Sequence, residues 1–270
     1  MRDKIGYPAW ILDDGKLADY YAAIDITTNF FASAMSVTSA KTQQSLDELW
    51  RPVDPTRWFM SPQTVNAYYN PSRNEIVFPA GILQAPFYES GQPQSVNYGG
   101  IGVIIGHELT HGFDDQGSKY DKTGRLAGWW DQTTADQFAA KADCLQEQYG
   151  AFTVDGAHVN GRNTMGENIA DNGGIKQAFA AYTKWVKKHG REPLLPGLGL
   201  SHEQLFFLGF SQAWCGHSTS QDAERGLRTD PHSPSRFRVI GTLANTPTFA
   251  QSFNCPSGSA MVAKQPCNVW

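Results

Sequence analysis

The stretch Ile101-Gly102-Val103-Ile104-Ile105-Gly106-His107-Glu108-Leu109-Thr110-His111-Gly112-Phe113 decides how this chain is read. It is too long and too regularly spaced for a buried strand, so it predicts a buried helix, ended by Asp114-Asp115-Gln116-Gly117. On a helix, residues four apart share a face, which puts the imidazoles of His107 and His111 where both can bind one metal ion, with Glu108 projecting beside them. With seven His and nine Glu in 270 residues, the pattern His-Glu-x-x-His is expected by chance only about 0.006 times. Two histidines merely satisfied inside a helical core is therefore the poorer explanation.

A zinc ion that works as a Lewis acid takes three protein ligands and keeps one position open, so a third ligand is needed. Glu167-Asn168-Ile169-Ala170-Asp171 supplies the best candidate, because it repeats the four-residue helical spacing. Glu167 can then ligate, while Asp171, one turn on, accepts the second N–H of a ligating histidine. Asp114, three residues after His111, can do the same for its neighbour. The plain alternative for each carboxylate is a helix cap or a solvated side chain.

The rest of the chain predicts a mainly α protein with a small β-sheet, an α+β catalytic unit spanning residues 1–270. Asp13 to about Trp50 reads as two core-packing helices interrupted near Ser36 to Ser39. Val65-Asn66-Ala67-Tyr68-Tyr69, a turn at Asn70-Pro71-Ser72-Arg73-Asn74, and Glu75-Ile76-Val77-Phe78-Pro79 suggest a hairpin. Pro79 and the polar alternation argue for an edge strand. Asn163 to His189 reads as a long helix stopped by Gly190, Ser201 with Gln204 as a capping box for a helix through Trp214, and Thr246-Pro247 as the start of a last short helix.

A formal charge of −4 and the lack of basic runs argue against nucleic acid or an anionic membrane surface as a partner. No apolar stretch approaches the roughly 20 residues of a membrane span, and Met1 to Pro8 does not read as a signal peptide. The four cysteines, Cys144, Cys215, Cys255 and Cys267, form no CxxC pair, so they do not build a metal site. Residue spacing alone leaves free thiols and three disulfide connectivities open.

The sequence resembles the neprilysin and endothelin-converting-enzyme group of zinc peptidases over nearly its whole length. The resemblance runs through Val65 to Tyr69, Asn74 to Leu83, Gly106 to Asp115, Gly166-Glu167-Asn168-Ile169-Ala170-Asp171-Asn172-Gly173-Gly174 and the terminal Cys267-Asn268-Val269-Trp270. Asp230-Pro231-His232-Ser233-Pro234-Ser235-Arg236-Phe237-Arg238-Val239 looks closer to the endothelin-converting branch. The resemblance implies a zincin-like (gluzincin) fold and one zinc per chain, held by His107, His111 and Glu167, with Glu108 as base and Asp171 and Asp114 orienting the histidines. It further implies that Asn66 and Ala67 hydrogen-bond a peptide backbone, that His232 stabilises an oxyanion, and that Arg238 binds a substrate carbonyl. It pairs Cys144 with Cys267, and Cys215 and Cys255 with a preceding segment. That segment, a helical lid behind a membrane anchor, is expected to be absent here, and the chain to be extracellular, as a secreted protein or the ectodomain of a type II membrane protein. Homodimerisation stays open.

The apolar residues Val103 and Ile104, one turn before His107, predict a pocket for large hydrophobic residues, with cleavage on their amino side; the resemblance adds Ile82, Phe87 and Trp214 to its wall. Two rival readings are a catalytically silent peptide-binding scaffold, which the intact Glu108 opposes, and a structural zinc site, which would need a fourth protein ligand.

Overall fold

In the computed structural model, which describes residues 1–270, the chain opens on a strand with no apolar alternation to reveal it, β1 (Arg2–Gly6). Helices α1 (Asp14–Tyr21) and α2 (Phe30–Glu48) follow, each capped by a side chain: Asp13 accepts from the Lys16 amide and Asn29 from the Ala32 amide. The interruption expected near Ser36 to Ser39 does not occur. Ser36 and Ser33 instead turn their hydroxyls onto the connecting loop, accepting from the Asp25 and Thr27 amides at 2.7 and 2.9 Å, and the break falls between Tyr21 and Phe30. Nor do these helices fill the core: Ala40 is their one buried residue, while Phe30, Phe31 and nearby Trp50 are exposed.

The hairpin forms as β2 (Tyr68–Asn70) and β3 (Glu75–Pro79), antiparallel, turning through Asn74 in the left-handed region at φ 46°. β1 pairs parallel with the other side of β3, so the order is β1-β3-β2. The edge position argued from Pro79 is therefore corrected: β3 is the central strand. Pro79 is its last residue, where a missing N–H interrupts little of the ladder. Burial on both sides explains the run Ile76-Val77-Phe78, and Lys4 Nζ lies 2.9 Å from the buried Glu75 carboxylate across the β1–β3 pair. The edges are β1 and β2, and the outer side of β2 is unpaired.

Helix α3 (Gln94–Asn97), a π turn (Tyr98–Gly102) and α4 (Val103–His111) make one continuous helical run carrying the histidines. α5 (Gln132–Gly150) starts at the Asp131 cap, and a two-residue pair, β4 (Thr153–Val154) with β5 (Ala157–His158), leads to the long α6 (Met165–His189). Gly190 ends α6 at φ +86°, with Lys187 and Lys188 in the last turn. The Ser201–Gln204 capping box starts α7 (His202–Ala213); α8 (Ser220–Thr229), α9 (Ser235–Ala244) and α10 (Pro247–Ser252), with proline at its first position, complete the fold.

The buried middle of α6 is the spine on which the rest packs. Its Ile175, Ala178 and Tyr182 join Val103 of α4 and Phe206, Phe207 and Phe210 of α7 in the largest core cluster. Each buried Val, Ile or Phe among them contributes about 1.5–3 kcal/mol. A Cβ on Gly106 would lie 2.6 Å from the Gly174 carbonyl oxygen, so α4 and α6 cross backbone to backbone and only glycine fits there. Cys144 of α5 and Cys267 are joined by a disulfide that fastens the C-terminal segment to a third cluster around Leu145, Tyr149 and Ile169. Cys215 and Cys255 are free. No helix is long and apolar enough to cross a membrane.

Candidate metal centre

The close α4–α6 crossing brings the first turn of α6 to the histidine face of α4. His107 Nε2 and His111 Nε2 lie 2.9 Å apart, and Glu167 Oε2 lies 3.2 and 3.5 Å from them. His107 Nδ1 is 2.8 Å from Asp171 Oδ1, and His111 Nδ1 is 2.6 Å from Asp114 Oδ2. A carboxylate only accepts, so each Nδ1 carries the proton and each Nε2 is left with a lone pair. Two lone pairs and a carboxylate oxygen converge on one point, and Glu167 Oε2 is buried without a hydrogen-bond partner. The cluster repels itself unless a cation sits between its members.

Those separations suit zinc. Ligands about 2.0–2.2 Å from a tetrahedral ion lie about 3.3 Å from one another, and the three donors lie 2.9 to 3.5 Å apart. The surrounding charges point the same way: the carboxylates of Glu108, Asp114 and Glu167 line one cleft, with Asp171 behind His107, and Arg238 is the only guanidinium in that lining. Burial opposes protonation of His107 and His111, but the adjoining carboxylates of Asp171, Asp114 and Glu167 prevail and raise both above the ordinary histidine range, so each Nε2 draws either a proton or a cation. Burial alone would raise the Glu167 carboxyl; His107 and His111 hold it far below the carboxylate range instead. Burial raises Glu108, against the pull of His107 and His111.

A cleft opens over this cluster. Asn66 and Ala67, just before the free edge of β2, line one wall, and Ile82, Phe87, Ile104 and Trp214 form an apolar end. The Asn66 side chain accepts from the Ala67 amide at 2.9 Å. Val103 does not take the place expected of it. It is 1% exposed and packs against Ile175 and Phe206, because one residue along a helix turns the side chain by about 100°: Ile104 faces the cleft with His107 and Glu108, and Val103 faces α6.

His232 reaches the same cleft with Nε2 3.4 Å from Glu167 Oε2. Residue spacing gave no hint of what holds it. Asp230 accepts from both the His232 amide, at 2.8 Å, and its Nδ1, at 2.7 Å. Asn163 donates to the Asp230 carbonyl at 2.9 Å and Ser233 to the Asn168 side chain at 2.8 Å, pegging the loop to α6. Arg238 is committed more deeply than expected: Nε and Nη2 grip Asp171 at 2.7 and 2.6 Å, and the guanidinium stacks 3.8 Å from the Trp214 ring centroid. Arg238, Asp171 and His107 thus form one chain of contacts ending at the cluster of His107, His111 and Glu167. Tyr69, Pro71 and Gln116 also line the cleft.

Residues 66–269 match the family described as Peptidase family M13. The chain belongs to peptidase family M13. Among M13 relatives, it is 52% identical to human endothelin-converting enzyme 1 over 98% of its length and 47% identical to neprilysin-3 of Drosophila melanogaster over 100%, in each case covering 35% of the relative. It superposes at TM-score 0.90 and 40% identity on the zinc metalloprotease Zmp1 of Mycobacterium tuberculosis solved with an inhibitor, over all of this chain and 41% of that one. The chain thus spans about a third of the length of the curated M13 relatives it matches.

Proposed function

We propose that this chain is the peptide-cleaving part of a zinc-dependent endopeptidase, with His107, His111 and Glu167 as metal ligands and Glu108 as general base. The observation that carries the reading is the convergence of two lone-pair imidazole nitrogens and an unpartnered, buried carboxylate oxygen beside an unligated glutamate on the same helix. Zinc held by His107, His111 and Glu167 would supply Lewis acidity, making water a stronger acid and polarising a carbonyl.

The chain's own groups do the rest. Glu108, one residue from His107 and buried in the cleft floor, takes the proton of the attacking water and passes it to the departing amine. His232, turned toward the centre by its Nδ1 bond to Asp230, presents Nε2 to the oxygen on which negative charge develops. Asp171 and Asp114 fix the ring planes and tautomers of the ligating histidines, and Arg238 fixes Asp171. The open edge of β2, with Asn66 and Ala67, accepts an extended peptide by strand addition, and the remaining N–H groups of Arg238 meet its carbonyl.

The apolar end of the cleft, lined by Ile82, Phe87, Ile104 and Trp214, takes a large hydrophobic side chain, and we place the cut bond on that residue's amino side. An unpaired charge placed there would be penalised. The disulfide supports an oxidising, extracellular location. Chelator-reversible cleavage of a quenched peptide tests the proposal: activity should vanish on chelation and return with zinc. Tight peptide binding with no cleavage in zinc would instead favour a silent scaffold.

A further inference from the structure

A second cavity adjoins the first across the metal position, and its character is opposite. Its lining is polar or charged apart from Gly166 and Pro231, and it shares His111, Asp114, Gln116 and Glu167 with the apolar cleft. A peptide passing over the centre with a hydrophobic side chain in the apolar end must lay the residues before the cut bond into this polar side.

The one cation of the polar cavity is Arg162. Its loop is rigid: Asn160 accepts the Asn163 amide through its side chain at 3.0 Å and the Thr164 amide through its carbonyl at 3.0 Å. The asparagines on either side are thereby committed, Asn163 also to the Asp230 carbonyl. Arg162 itself is exposed, and no carboxylate lies within ion-pair reach of it. Of the acidic groups lining this cavity, Asp114 and one oxygen of Asp115 are occupied, while Asp115 Oδ1 and Glu167 Oε2 are buried without a hydrogen-bond partner. Asp114 accepts from His111 and from the Gln116 and Gly117 amides, and Asp115 accepts from the Gln116 side chain. A guanidinium held on a fixed loop, five residues before Glu167 and free of any partner, is built to take a carboxylate in its planar fork.

We propose that Arg162 forms a subsite on the amino-terminal side of the cut bond that selects an acidic side chain at one of the two residues preceding it. The inference rests on the peptidase reading for the direction of the peptide. The sequence did not single out Arg162, because an isolated arginine before a helix is ordinarily a solvated side chain.

The test uses peptides with Phe after the scissile bond and Glu, Gln or Lys at each of the two preceding positions. With the 270-residue chain, kcat/KM should favour Glu over Lys by about tenfold or more at one of them, the scale of one charge-assisted hydrogen bond. Arg162→Gln should bring that ratio close to one, and Arg162→Glu should invert it. An unchanged ratio in both variants overturns the subsite. Equilibrium binding of the same peptides, labelled and presented to Glu108→Gln protein with and without Arg162→Glu, separates the two readings. Charge discrimination in binding without cleavage of any peptide by the unaltered chain would refute the peptidase while upholding the subsite. Cleavage without charge discrimination would do the reverse.

Discussion

Replacing Gly174 with alanine should weaken the fold and the metal site together, because this residue sets the distance between the helix that carries two proposed ligands and the helix that carries the third. A Cβ there meets the His107 amide nitrogen at 2.6 Å and the Val103 carbonyl oxygen at 2.8 Å. Ordinary contact begins at 3.4 Å, so the first approach falls 3.4 − 2.6, or 0.8 Å, short. Both obstacles are backbone atoms, which cannot rotate aside, so α4 and α6 must part. Overpacking of this kind costs about 1–3 kcal/mol, and the better helix propensity of alanine returns up to about 1 kcal/mol. The net expectation is a loss of about 1–2 kcal/mol, or very roughly 2–8 °C in the unfolding midpoint of a protein this size. Parting the helices by a fraction of that 0.8 Å exceeds the tolerance of about 0.2 Å on ligand distances, so zinc affinity should fall by roughly 10–100-fold. Thermal unfolding of metal-free protein and zinc competition against a chromophoric chelator read the two effects. Gly150→Ala, with nothing within 4 Å of its Cβ, is the control and should be neutral or stabilising. Unchanged stability and unchanged zinc affinity in Gly174→Ala would refute the close-crossing argument.

The disulfide closes a sequence separation of 123 residues, so Cys144→Ser should lower unfolding free energy by about 2–5 kcal/mol, read from the denaturant midpoint under non-reducing conditions. Acid should destabilise the fold below about pH 4. The Thr123 hydroxyl and nearby amides hold Asp121 below the usual carboxylate range, and the Thr134 amide does so for Asp131. A depressed folded pKa gives stability that is present above the unfolded value and lost as pH falls through the folded one, so Asp121→Asn should flatten the decline in denaturant midpoint between pH 5 and about pH 2. Val103→Ala should cost roughly 1–3 kcal/mol of stability while leaving the preferred residue after the cut unchanged, whereas Ile104→Ala should shift that preference toward bulkier side chains in a peptide library. The opposite pattern would put Val103 back into the pocket.

Much of the site was legible because its parts lie at helical spacing. His107 and His111 on α4, and Glu167 with Asp171 on α6, need only the four-residue period to share a face, and the caps at Ser201 and Pro247 announce their helices locally. The same period, taken one residue too loosely, misplaced Val103. What stayed hidden depends on distant partners. β1 has no apolar pattern, since its place beside β3 is fixed by pairing rather than by a hydrophobic face, and without it β3 read as an edge. Asp230, Asn163 and Ser233 hold His232 through contacts that no spacing rule joins, and Arg238 closes on Asp171 across 67 positions. The exposed surface of α1 and α2 reads as core in the sequence because apolar residues at helical spacing state a preference for burial without naming what covers them.

The central claim, that Glu108 is the base and not a ligand, is tested by one paired measurement on purified protein: zinc per chain by elemental analysis alongside cleavage of a quenched peptide, for the unaltered chain and for Glu108→Gln. The expected result is one zinc in both and cleavage in the unaltered chain alone. Loss of zinc from Glu108→Gln, or cleavage by it at the unaltered rate, would contradict the assignment of Glu108 and Glu167.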